Sequence, residues 1–185
     1  MSTGSGRRGY LLDAGVVISL QRTGHLDVLA SLGSHADLAL VEEVYDELVR
    51  PRSGKYPRAA SEAKAVLDAH VTVVSIDVGS DAAERLLALR ARRTSARADL
   101  GESASIAWAV DHAEYIFVTR DAAASYLALE ELQGRTRSFY HFLREAVELA
   151  ALDRVTAKAI ADAAEQSPGV NAAPPLWWTD WVSGR

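Results

Sequence analysis

GYLLDA, residues 9–14, is a short apolar run that ends in an acid, Asp13. A run this brief, without polar alternation, reads as a strand buried on both faces. Two other stretches have the same form: DLALV (37–41) and YIFVT (115–119), the latter followed two residues on by Asp121. Helical spacing fills the chain between them. VVISLQRTGHLDVLASLG (16–33) divides into two short helices near Gly24, and EEVYDELVR (42–50) is a helix stopped by Pro51. RSGKYP (52–57) has loop chemistry, and RAASEAKAVLDAH (58–70) is an amphipathic helix. VTVVSID (71–77), dense in β-branched residues, is the clearest strand. SDAAERLLALRARR (80–93) is a helix with Ser80 as N-cap, and ADLGESASIAWAV continues helical to about His112. Short buried strands alternating with helices predict an α/β fold with a mostly parallel sheet.

The rest of the chain follows the same scheme. DAAASYLALEEL (121–132) is helical with Gly134 at the C-cap, and TRSF (136–139) is a short edge strand. FYHFLREAVELAAL (139–152) and TAKAIADAAEQ (156–166) are two more helices, the last ended by Pro168. The expected organisation is a disordered lead-in over residues 1–7, one domain over 8–167, and an irregular aromatic tail over 168–185. Trp177, Trp178 and Trp181 in that tail are expected to pack back on the domain, with docking of a partner protein as the alternative.

Composition narrows the class. The 185 residues suffice for one domain, and 49% hydrophobic with 24% charged residues is ordinary for a globular protein. Cysteine is absent, so no disulfide framework or cysteine zinc site exists, and the cytoplasm is the expected compartment. No apolar run approaches the roughly 18–20 residues of a membrane span, and the basic N-terminus lacks the apolar core of a signal peptide. A net charge of −5 argues against a simple nucleic-acid binder. The stretch 85–97 nevertheless holds Arg85, Arg90, Arg92, Arg93 and Arg97 and no acid. His25, His35, His70, His112 and His141 show no metal-site spacing and read as structural.

The acids are the chemical signal. Asp13 and Asp121 fall at the carboxyl ends of expected central strands, where parallel sheets bind ligands. Glu47 shares a helix face with Glu43, and Asp99 and Glu102 open the ADLGES helix. Each has a structural reading: Asp99-Leu-Gly-Glu102 fits a capping box, Asp121 an N-cap, Glu43 and Glu47 a solvated face. Together, clustered carboxylates repel unless a cation or a proton neutralises them. An all-oxygen donor set suits Mg²⁺ or Mn²⁺ better than zinc, and such ions stabilise the attacking and leaving oxygens of phosphodiester cleavage.

These residues resemble a PIN domain. LLDAGVVISL looks like its first strand with the leading Asp13; VEEVYDELV is similar to the V-x-x-E-L helix, selecting Glu47 over Glu43; ADLGESASIAWA resembles the D-x-G-E motif with Glu102; FVTRD resembles the last strand with its Thr119 and Asp121. The resemblance, from about Tyr10 to Glu165, implies a three-layer fold and a Mg²⁺- or Mn²⁺-dependent endoribonuclease acting on RNA. It further implies the toxin of a bacterial toxin–antitoxin pair, with an inhibitory antitoxin protein as partner and a homodimer as assembly. Asp13, Glu47, Glu102 and Asp121 would be catalytic, Asp13, Glu102, Asp121 and Asp99 would hold metal, and Thr119 would be accessory. Arg90, Arg93, Arg97 and Arg120 are candidate RNA contacts. Two positions depart from the family: Ala122–Ala124 replace a further acid or Asn, and Ala14 replaces a frequent Ser or Thr. The alternative is a PIN-like module that has lost catalysis and binds a protein or RNA. A haloacid-dehalogenase-type phosphatase lacks support, because Gly15 stands where its second aspartate belongs.

Overall fold

A computed structural model describes residues 7–50, 57–92, 100–166 and 174–184. The first strand, β1 (Gly9–Leu12), is wholly buried, as its unbroken apolar run requires. It leads into α1 (Ala14–Arg22) and α2 (Asp27–Gly33), separated at Gly24, whose φ of 76° suits a residue without a Cβ. Then come β2 (Asp37–Val41), α3 (Glu42–Val49), α4 (Pro57–His70), β3 (Thr72–Val74), α5 (Asp81–Ala91) and α6 (Leu100–Asp111). The chain continues through β4 (Tyr115–Thr119), α7 (Ala122–Glu131), β5 (Thr136–Ser138), α8 (Phe139–Glu148), α9 (Arg154–Glu165) and α10 (Leu176–Val182).

All strand pairings are parallel, in the order β3-β2-β1-β4-β5. The chain therefore builds outward from β1 to β3, crosses back, and builds outward again from β4 to β5. Right-handed crossovers then put the helices of the two halves on opposite faces. Accordingly α1 and α2 pack with α4, while α6 packs with α5 and α7; α8 pairs with α9, which returns to α1. The fold is α/β with a central parallel sheet between helical layers. Among the described residues, no helix is long and apolar enough to cross a membrane.

Two expectations need correction. VTVVSID yields only a three-residue strand, because β3 is an edge with Thr72 and Val73 exposed. Its β-branched residues favour extended backbone, but beyond Val74 there is no neighbouring strand pairing to hold it. The aromatic tail is not irregular: Leu176–Val182 forms α10, with Pro175 at its N-cap. Trp178 is 3% exposed there, its ring 5.2 Å from that of Tyr140, and the guanidiniums of Arg144 and Arg154 lie over Trp177 and Trp181. The tail thus packs on its own domain. Arg7, placed by the sequence in the lead-in, donates to the Ser34 carbonyl; residues 1–6 lie outside the described residues.

Candidate active site

The register fixes the centre of the site. Leu12 stands opposite Val118, so the next residues, Asp13 and Thr119, lie side by side at the carboxyl ends of β1 and β4, where the strand order reverses. This is the crevice where doubly wound sheets receive ligands. The Asp13 amide donates to the Val118 carbonyl at 3.0 Å. The Thr119 hydroxyl donates to Asp13 Oδ2 at 3.0 Å, and Thr119 Oγ1 itself accepts from the Asp121 amide at 3.0 Å. One buried hydroxyl thus ties the exits of β1 and β4. Asp121 Oδ1 accepts from the Ala124 amide at 2.9 Å and caps α7, as the capping reading predicts. The rest of the Asp121 side chain faces solvent.

Asp13 is 6% exposed. Burial pushes its carboxyl up to about 6, against the opposing hydrogen bonds from Thr119 and the Ala14 amide; the charges of Glu47 and Asp121 push in the same direction as burial. Glu47 and Asp121 therefore act on Asp13 electrostatically, and three of the four expected acids share one neighbourhood. The shift has a thermodynamic consequence. The folded chain keeps the Asp13 proton up to about pH 6, while the unfolded chain releases it near 3.8. Between those values the native state binds more protons, so its stability falls as pH rises. Asp13→Asn should match wild type below about pH 4 and exceed it above pH 6.5, by up to about 3 kcal/mol. Urea titrations at pH 4 and 7.5 check this; equal stabilities at both values would refute it.

Glu102 lies in the first turn of α6, half-buried. Its placement depends on Gly101: a Cβ there would stand 2.8 Å from Val44 Cγ2, so glycine lets α6 approach α3, which carries Glu47. Gly101→Ala should force the two helices apart and cost about 1–3 kcal/mol, read as a lowered thermal midpoint. Asp99 lies outside the described residues.

Sequence reasoning undervalued one acid. Glu43, set aside in favour of Glu47, sits one turn before it on α3, and its Oε2 is buried with no hydrogen-bond partner. A buried carboxylate oxygen without a donor calls for a cation or a proton. The available signal was the i, i+4 spacing of the two glutamates. The repulsion on Asp13 fits a hard divalent cation, for which Asp13, Asp121, Glu47 and Glu102 supply oxygen donors. Among the described residues, no three acidic or histidine side chains stand close enough to hold an ion between them directly. Mg²⁺ keeps several of its waters and needs only one or two carboxylates, so the donor set suits it without a closed cage.

The arginines divide. Arg90 is exposed on α5, and Arg93 and Arg97 lie outside the described residues. Arg85 donates to the Ala107 carbonyl and pairs with Asp111; Arg92 pairs with Glu131 at 2.8 Å. Arg120, an expected RNA contact, turns inward: it donates to Ser19 Oγ and to the Ala164 carbonyl, and lies over the Phe139 ring.

Fold and site together define a class: a doubly wound parallel α/β domain with a buried aspartate and further carboxylates at its switch point. Comparisons of the chain with protein-family models, with curated proteins and with solved structures give no match.

Proposed function

We propose that this chain is a Mg²⁺- or Mn²⁺-dependent ribonuclease of PIN type. The observation that carries the proposal is Asp13: a buried carboxylate at the switch point, held by Thr119 and repelled by Glu47 and Asp121. Keeping that charge uncompensated costs stability, and a site arranged against stability is where function is expected. A bound ion supplies an activated water and neutralises charge developing on the phosphate. Asp13, Glu102 and Asp121 would hold the ion, one or two of them directly and the rest through its waters, with Glu47 adding to the negative charge around Asp13; Thr119 fixes the orientation of Asp13. The test is cleavage of a mixed single-stranded RNA pool with Mn²⁺, with and without EDTA. Metal-dependent cutting supports the reading. Calorimetric titration with Mn²⁺ showing no binding to the full chain would sink it.

The finer proposal is that the chain is the toxin of a toxin–antitoxin pair, held in check by an inhibitory protein. Its support is the four-motif resemblance. Expression without the partner should then arrest growth, and arrest should vanish with Asp13→Asn. The second reading, a PIN-like module without catalysis, is favoured by the lack of three directly converging acids among the described residues; Mn²⁺ binding separates the two.

A further inference from the structure

Arg120 sits between Thr119 and Asp121, and its guanidinium reaches α1, α8 and α9. Its guanidinium donates to Ser19 Oγ in α1 and, at 3.1 Å, to the Ala164 carbonyl near the end of α9, and it lies 5.3 Å from the Phe139 ring centroid at the start of α8. Ser19 passes the contact on: its hydroxyl donates to the Gly15 carbonyl at 2.5 Å. Gly15 is two residues beyond Asp13, and a Cβ there would stand 3.4 Å from Asp13 Oδ2 and 3.6 Å from Arg120 Cβ. Two routes therefore join the turn after β1 to the turn after β4. One is direct, Thr119 to Asp13. The other runs from Arg120 through Ser19 to Gly15.

We infer that Arg120 is a positioning residue, which holds the Thr119–Asp121 turn against Asp13 by fastening it to α1, α8 and α9, and does not bind the RNA backbone. The inference rests on the nuclease reading above. A fork of donors in fixed geometry can engage a hydroxyl, a carbonyl and a ring face at once; an ammonium has no such fork. Two of its five N–H donors are engaged within the protein, which fixes the direction of the guanidinium toward α1 and α9.

Positioning and phosphate binding separate in kinetics. Misplacement of a metal-holding group by about 1 Å can cost on the order of 10²-fold in rate, whereas loss of a phosphate contact weakens RNA binding and lowers the salt dependence by about one ion. Arg120→Ala should lower kcat by about tenfold or more and leave KM for RNA within about twofold, uniform RNA binding being untouched. Arg120→Lys should recover only part of the loss. Ser19→Ala, a milder change, should lower kcat in the same direction with the protein fully folded. Hydrogen exchange at the Asp121 amide, which donates to Thr119 Oγ1, should quicken in both alanine variants, since the turn is then free to open.

A raised KM with a shallower salt slope would overturn the assignment in favour of RNA contact. An unchanged kcat with only a lowered thermal midpoint would reduce Arg120 to general stability and also overturn it. Failure of the wild-type chain to bind Mn²⁺ is a different result: it removes the nuclease reading, and this assignment falls with it.

Discussion

Asp13→Asn is expected to lower metal-dependent RNA cleavage by at least about 100-fold, the scale seen when one electrostatic element of a preorganised site is removed. The substitution keeps the shape. Asn Oδ1 can accept the Thr119 hydroxyl as the carboxylate does at 3.0 Å, so β1 and β4 stay joined. Only the charge goes, and with it the oxygen that a divalent cation would prefer. The same change should raise stability near neutral pH, because Asp13 no longer ionises beside Glu47 and Asp121. A more stable protein that no longer cuts is the signature of a site built at the expense of stability. Single-turnover cleavage beside urea unfolding measures both. Activity within threefold of wild type would remove Asp13 from the chemistry.

Trp178→Ala is expected to cost about 3–5 kcal/mol, the range for deleting a buried large aromatic, and to lower the thermal midpoint by roughly 6–20 °C. Trp178 is 3% exposed and meets both Tyr140 and Trp181, with centroids at 5.2 and 5.1 Å. Tyr140 in turn donates to Glu165 at the end of α9. Removing the indole leaves a seven-residue helix held only by the half-buried Trp177, Trp181 and Val182, with Leu176 90% exposed. A helix this short does not persist alone in water. Its detachment would bare Trp177 and Trp181, so the variant should also associate more readily, measurable by light scattering. A loss below about 1 kcal/mol, the level of an ordinary surface change, would show that α10 contributes little.

Much of this was legible in the sequence. Buried parallel strands show as unbroken apolar runs, which is why GYLL, DLALV and YIFVT were found with their bounds nearly correct. Ser80 and Asp121 were legible as caps because capping is a local chemistry of one side chain and the amide three residues on. What failed depended on neighbours distant in sequence. VTVVSID carries β-branched residues whether or not a partner strand lies alongside, so its length could not be read from its own residues. The α10 helix forms from poor helix formers after two prolines, and its stability comes from Tyr140, Arg144 and Arg154. Glu43 and Glu47 look alike on a helical wheel; which one has an oxygen out of reach of water depends on the packing around α3. Arg120 looked like a phosphate contact because it stands beside the acids in sequence; its inward partners, Ser19 and the Ala164 carbonyl, lie on α1 and α9, far from it along the chain.

The distance along the chain between Asp13 and its hydroxyl partner has a consequence for synthesis. They lie 106 residues apart, so at typical ribosomal rates the second follows the first by about 5–20 s. β1 pairs with β2 on one side and β4 on the other, so its second edge has no partner strand until β4 has been made. The nascent protein therefore passes through a stage with an apolar, unpaired strand and no assembled site. The site cannot assemble until Thr119 and Asp121 have been translated, and the same interval is when a chaperone would have most to cover.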